Sequence, residues 1–228
     1  MEGALSPPFP GSVGGDGTWQ QLLRPPSRSG PQSARMPALF LDRDGVIVEE
    51  VNYLCRPDDV RLIPGAADTI AAANRAGVRV IIVSNQSGIG RGRFTWHDFE
   101  AVQDRILALL AQAGAAVDAV FACPFHSGAI SPWCHPDHPA RKPNPGMLLA
   151  AGEQLDVDLP RSWIIGDRAG DIAAGKNAGL AGGLHVTTGW GSEAGETEAA
   201  RALAVPDAFS VLEAASIAAA PQLLPLFH

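Results

Sequence analysis

Residues 38–45 read Ala-Leu-Phe-Leu-Asp-Arg-Asp-Gly and pass from an apolar run into an acidic turn. Four apolar residues in succession are typical of a strand that is buried on both faces. Short apolar runs of this kind recur along the chain, and patterns typical of helices separate them. This alternation favours parallel pairing through right-handed crossovers. The sequence therefore predicts an α/β fold, a Rossmann-like three-layer α/β/α sandwich around a parallel sheet.

The predicted elements run from residue 38 to residue 186. Strands are expected at 38–41, 78–83, 117–122, 163–165 and 183–186, and helices at about 66–76, 96–113, 145–154 and 171–178. Gly77 and Gly114 stand where helix C-caps are expected. The alanine-rich segment 191–228 predicts one or two peripheral helices.

The first 36 residues differ in composition from the rest of the chain. They contain six glycines, six prolines and five serines, without a sustained apolar period. We therefore expect residues 1–36 to be a disordered extension, and residues 37–228 to form a single domain.

Charge and cysteine content narrow the class of protein. The net charge of −7 argues against broad binding of nucleic acid or of an anionic membrane surface. No apolar run is long enough to span a membrane, and the N-terminus does not resemble a signal peptide. Three cysteines are too few for a disulfide framework, so we expect a cytoplasmic protein, and we expect it to be a monomer.

Polar residues follow the strands at one edge of the predicted sheet, where α/β proteins place their chemistry. They are the acid pair Asp42 and Asp44, the loop beginning Ser84-Asn85, Lys142, and the acids Asp167 and Asp171. Taken singly, each motif also fits an Asx turn, an empty polar loop, a solvated lysine or a helix cap. Together they predict catalysis, because an acid pair, a hydroxyl, a lysine and a further acid meet at the strand ends.

This order of motifs resembles the haloacid dehalogenase (HAD) superfamily of phosphatases, from Leu39 to Val186. The strings LeuAspArgAspGly (41–45), SerAsnGlnSerGlyIleGlyArgGly (84–92), ArgLysProAsnProGlyMet (141–147) and GlyAspArg (166–168) resemble its heptose bisphosphate and histidinol phosphatases. The resemblance implies an HAD-like fold without a separate cap domain. It also implies removal of the 7-phosphate of a heptose 1,7-bisphosphate used for bacterial lipopolysaccharide.

The resemblance also implies a role for each motif. Asp42 would be the nucleophile, and Asp44 the acid that protonates the leaving oxygen and then activates water. Mg²⁺ would be held by Asp42, the backbone carbonyl of Asp44, and Asp167, with Asp171 in support. The residues expected to hold the phosphoryl oxygens are Ser84, Asn85 and Lys142.

Cations and loops near these motifs would contact the rest of the substrate. Arg43, Arg91, Arg141 and Arg168 are candidates to bind a second anionic group or the sugar, although an exposed arginine can also be merely solvated. The intervals between motifs are too short for a folded cap, so we expect walls made by the loops at 49–56 and 123–140.

Members of this branch often carry a structural zinc ion just before the lysine motif. This sequence departs from their pattern, because Phe125 occupies a histidine position and Ala140 a cysteine position. A shifted set of Cys123, His126, Cys134 and His138 would still supply two sulfur and two nitrogen ligands. The alternative is a loop held by prolines.

Two other functions compete with the heptose bisphosphate phosphatase. One is a related phosphatase, either histidinol-phosphate phosphatase, which shares the four motifs, or a phosphatase of another small sugar phosphate. The other is a non-catalytic binding protein with the same fold, which would be expected to lack an acid of the first motif.

Overall fold

The computed structural model describes residues 11–24 and 35–228. One eight-stranded sheet runs through it, with strands in the order β1-β2-β5-β4-β3-β6-β7-β8. The pairs β1–β2 and β2–β5 are antiparallel, and the other pairs are parallel. The strands are β1 (Ser12–Val13), β2 (Trp19–Leu22), β3 (Ala38–Leu41), β4 (Arg79–Asn85), β5 (Ala119–Cys123), β6 (Trp163–Gly166), β7 (Gly182–Val186) and β8 (Ser210–Ala214).

Helices cover both faces of the sheet, as predicted for an α/β sandwich. They are α1 (Ala66–Arg75), α2 (Ser87–Gly90), α3 (Trp96–Gln112), α4 (Gly146–Gln154), α5 (Ala169–Asn177), α6 (Glu196–Arg201) and α7 (Ala220–Leu223). Gly77 and Gly114 follow α1 and α3 with φ of 72° and 74°, which confirms the predicted helix ends. None of these helices has the length and apolar character needed to cross a membrane in the part of the chain described.

The alternation of side chains along β3 divides the interior into two cores. Leu39 and Leu41 pack on one face with α1 and α3, while Ala38 and Phe40 pack on the other with α4 and α5. All four are fully buried. A strand buried on both faces holds the residues that follow it in a fixed place, and here those residues begin with Asp42.

At the ends of the chain, one prediction was wrong and another was incomplete. Residues 11–24, expected to be disordered, form β1 and β2, and β2 pairs with β5 over its whole length. Trp19 explains this order, because its ring is buried and meets Phe99 edge-on at 5.0 Å. The segment 191–228 contains β8 as well as short helices. Residues 1–10 and 25–34 of the predicted extension lie outside the described part of the chain.

Candidate active site

The predicted motif residues surround one cavity of about 420 Å³ at the carboxyl ends of the strands. Its lining includes Asp42, Asp44, Ser84, Asn85, Arg141, Lys142, Asp167, Arg168 and Asp171. The predicted walls also border it, through Glu50 and Tyr53 from one loop and His126 from the other. Arg91 is not part of the lining, and its guanidinium group instead contacts the ring of His126 at 2.9 Å.

Lys142 ties the motifs together from a buried position. Its ammonium group donates hydrogen bonds to Asp42 Oδ1 at 2.6 Å and to the carbonyl oxygen of Val83 at 2.8 Å. It also forms an ion pair with Asp171 Oδ1 at 2.8 Å. Burial works against the charged amine, but the two carboxylates outweigh it and raise the lysine pKa above its ordinary value. Lys142 is therefore a permanent cation in contact with Asp42.

The acids form a cluster that a cation would stabilise. Ligand oxygens of Asp42, Asp167 and Asp171 lie within 4.8 Å of one another. Burial, with added repulsion from Asp171 and Asp44, raises the pKa of Asp42 to about 7. Burial, with repulsion from Asp42 and Asp171, raises that of Asp167 to about 8. Excess negative charge among hard oxygen ligands fits Mg²⁺.

Two glycines allow Asp167 to reach its place. A Cβ atom at Gly45 or at Gly189 would collide with Asp167 Oδ2, and both glycines have positive φ, 83° and 57°. The same Oδ2 accepts a hydrogen bond from the backbone N–H of Trp190 at 2.8 Å. Oδ1 makes no hydrogen bond within the described part of the chain, so it remains available to a metal ion.

Asp171 has a different position from the other two acids. Its Oδ1 faces Lys142, and its Oδ2 accepts a hydrogen bond at 3.0 Å from the backbone N–H of Arg168 at the start of α5. Both oxygens are therefore engaged with the protein. This arrangement agrees with a supporting role better than with direct metal binding.

Asp44 accepts hydrogen bonds from two side chains for which the sequence did not predict this role. Arg43 donates to it through Nε at 3.1 Å and Nη2 at 3.0 Å, and Gln86 Nε2 donates at 2.9 Å. Arg43 had been a candidate for substrate binding, but it is 1% exposed and its guanidinium group lies over the ring of Phe99. This group therefore orients Asp44 and is not free to bind an anion.

The second motif also differs from expectation in detail. Asn85, expected to hold a phosphoryl oxygen, pairs instead with the backbone of Lys142, donating through Nδ2 and accepting through Oδ1. Gln86 also donates to Ser84 Oγ at 2.8 Å, so it bridges the second motif to Asp44. The only sequence signal for this role of Gln86 is its position inside the SerAsnGlnSerGly string.

The shifted zinc set does not form a metal site. No three of its members bring their ligand atoms within 4.8 Å of one another. Burial raises the pKa of the Cys123 thiol to about 11, and Cys134 Sγ donates to the carbonyl oxygen of Ser127. In His126 and in His138, Nδ1 accepts a backbone hydrogen bond. The residues present therefore do not fit zinc.

Comparison with known proteins places this geometry in a family. Residues 139–212 match the HAD-hydrolase-like family model. The chain is 53% identical over 151 residues to the D-glycero-beta-D-manno-heptose-1,7-bisphosphate 7-phosphatase of Mesorhizobium japonicum, covering 66% of this chain and 70% of that one. It is 43% identical over 164 residues to the D-glycero-D-manno-heptose-1,7-bisphosphate 7-phosphatase of Thermosynechococcus vestitus, covering 68% and 81%.

A solved structure extends the likeness to three dimensions. The D,D-heptose 1,7-bisphosphate phosphatase of B. bronchiseptica, complexed with magnesium and phosphate, superposes with a TM-score of 0.68 at 31% identity. The superposition covers 82% of this chain and 97% of that one. The chain therefore belongs to the heptose bisphosphate phosphatases, a family of HAD-like hydrolases that act on phosphate monoesters.

Proposed function

We propose that this phosphatase removes the 7-phosphate of D-glycero-D-manno-heptose 1,7-bisphosphate through an aspartyl-phosphate on Asp42, as a step toward the heptose of lipopolysaccharide. The observation that carries the proposal is the Lys142 ammonium group, which contacts both Asp42 and Asp171 within the cavity. The relatives from M. japonicum and T. vestitus bear the name of this activity. A cytoplasmic location is part of the proposal, and the three free cysteines support it.

Asp42 must be ionised to attack phosphorus. Burial and the neighbouring acids raise its pKa to about 7 even though Lys142, at 2.6 Å, lowers it, so a large part of Asp42 is protonated near neutral pH in the absence of a metal ion. We propose Asp42, Asp167 and the backbone carbonyl of Asp44 as the groups that hold Mg²⁺, whose charge would offset that of the incoming phosphate. The nucleophile and its counter-ion therefore come from two motifs 100 residues apart.

Asp44 would move the protons of the reaction. It is two residues beyond the nucleophile, and the donors on Arg43 and Gln86 restrict its carboxylate to one orientation. Protonated, it would give a proton to the leaving sugar oxygen, and ionised, it would take one from the attacking water. The same group therefore acts in both halves of the reaction.

Ser84 and Lys142 would hold the transferred phosphoryl group. Because Gln86 donates to Ser84 Oγ, the serine hydroxyl keeps its own proton for an external acceptor. Lys142 supplies a fixed positive charge at the same side of the cavity. Gln86 thus orients both the proton carrier and a phosphate donor.

The choice of substrate follows from the cations at the cavity. Arg141 and Arg168 both border it, and they would attract the second phosphate of a bisphosphate. The same cations would repel the ammonium group of histidinol phosphate. The named relatives are also heptose bisphosphate phosphatases, so the histidinol phosphate alternative is not favoured.

A substrate comparison tests the proposal. Purified enzyme with Mg²⁺ is given both anomers of the heptose 1,7-bisphosphate, histidinol phosphate and small sugar monophosphates, and kcat/KM is measured for each. We expect at least about tenfold preference for a heptose bisphosphate, with activity lost in EDTA and restored by Mg²⁺. Faster turnover of histidinol phosphate would overturn the substrate, and turnover of none of them would favour the non-catalytic alternative.

A further inference from the structure

The loop between β5 and α4, residues 124–145, contains most of the shifted zinc set and carries an aromatic cluster. The rings of Phe125 and His138 are stacked, with centroids 3.8 Å apart and planes 8° from parallel. Trp133 meets Phe125 edge-on at 5.4 Å, and His135 meets His138 edge-on at 5.3 Å. Such contacts stabilise a loop through burial and ring geometry.

The hairpin of β1 and β2 closes this cluster from the other side. Gly17, in the turn of the hairpin, has a φ of 80°. A Cβ atom there would lie 2.8 Å from the ring of Trp133 and 3.0 Å from that of Phe125. Only glycine lets the backbone of the hairpin pack this closely against the two rings.

The backbone carbonyl groups of both stacked residues accept hydrogen bonds from Arg141. The carbonyl oxygen of Phe125 accepts a hydrogen bond from Arg141 Nη1 at 2.9 Å. The carbonyl oxygen of His138 accepts one from the backbone N–H of Arg141, also at 2.9 Å. The stack therefore fixes both the backbone and the guanidinium group of an arginine that borders the cavity.

We propose that the Phe125–His138 stack is a metal-free clip that positions Arg141 to bind the substrate. The assignment of Arg141 to an anionic substrate group rests on the proposed function, whereas the clip itself does not. Burial lowers the pKa of His138, which favours the neutral ring. Phe125 and His138 are positioning residues in this account, because neither is required to touch the substrate.

Two substitutions at one position separate stacking from metal binding. His138→Phe keeps a ring for the stack but removes the nitrogen atoms of this side chain that could bind zinc. His138→Ala removes the ring as well as these nitrogen atoms. We expect His138→Phe to keep KM for the heptose bisphosphate within about twofold, and His138→Ala to raise it about tenfold with kcat little changed. Hydrogen exchange of residues 124–145 should increase in His138→Ala and stay at the wild-type rate in His138→Phe.

Zinc is measured directly on the same proteins. Wild type purified without chelator should contain less than about 0.1 zinc per chain, and chelator should not change its loop exchange. Stoichiometric zinc in the wild type, or an equal rise in KM and in loop exchange in the two variants, would overturn the clip. If exchange follows the expected pattern but wild type does not hydrolyse the bisphosphate, the proposed function fails and the clip stands. If exchange is as expected but KM does not rise in His138→Ala, the positioning of Arg141 is wrong.

Discussion

Replacing Asp42 with asparagine separates the chemical role of this residue from its cost to the fold. In metal-free protein, burial and the neighbouring acids raise the pKa of Asp42 to about 7. Asparagine has nearly the same shape and no charge. We therefore expect the variant to be inactive with Mg²⁺ and yet more stable than the wild type at pH 8.

The magnitude follows from the raised pKa. A shift from 3.8 to about 7 costs the ionised folded protein up to about 4 kcal/mol, at about 1.4 kcal/mol per unit. The attraction of Lys142 for the carboxylate lowers this pKa and is already part of the shift, and the asparagine can still accept a hydrogen bond from Lys142. We therefore expect a gain of up to about 4 kcal/mol in the free energy of unfolding at pH 8.

The raised pKa of Asp42 also determines the direction in which the stability of the wild type changes with pH. The folded wild type retains the Asp42 proton to a higher pH than the unfolded chain does, so its stability falls as the pH rises from about 4 to about 7. The variant has no such proton. Its advantage should therefore be near zero below about pH 4, about 1.5 kcal/mol at pH 5 and nearly complete at pH 8.

Urea unfolding in EDTA at pH 5 and pH 8 measures this difference. The matched control is Asp58→Asn, since Asp58 is exposed and does not line the cavity. A variant less stable than the wild type at pH 8, or an advantage equal at both pH values, would refute the electrostatic reasoning. Surviving phosphatase activity would refute the assignment of the nucleophile.

Three further changes test other parts of the site. Gln86→Leu should lower kcat about ten- to hundredfold, because it releases Asp44 and Ser84 together, while its urea midpoint stays near that of the wild type. Arg141→Ala should raise KM for the heptose bisphosphate about tenfold and leave KM for p-nitrophenyl phosphate within about twofold, as steady-state kinetics would show. Iodoacetamide at pH 8 should label exposed Cys134 in the native protein and Cys123 only after unfolding. The reason is that burial shields the Cys123 thiol and raises its pKa to about 11. Peptide mass mapping distinguishes the two labelled cysteines.

The elements that the sequence predicted well carry strong local signals. The strand at 38–41 is apolar throughout, and the helix beginning at Trp96 has a capping box between Thr95 and Asp98. The three strands that the sequence did not predict, β1 and β2 in the expected extension and β8 in the tail, have weaker signals. Residues 19–22 read Trp-Gln-Gln-Leu, and their order depends on pairing with a strand 100 residues away. Strand 210–214 is largely exposed and contains a glutamate.

In the candidate site, the sequence predicted which residues lie at the strand ends, but it did not predict the directions of all their side chains. Strand ends predicted that Asp42, Ser84, Lys142 and Asp167 would line one cavity, because parallel strands deliver their carboxyl ends to one edge. No local pattern predicted that Arg43 would turn toward Phe99. Side-chain directions of this kind depend on which neighbours the fold supplies, and the sequence pattern alone does not encode them.

The N-terminal hairpin also affects how this protein meets other copies of itself. Without β2, all five residues of β5 would lie at an open edge of the sheet, with unpaired N–H and C=O groups ready to accept a strand from another molecule. With the hairpin in place, the outermost strand on that side is β1, which is only two residues long. A segment with the composition of a flexible leader thus shields the sheet from edge-to-edge aggregation.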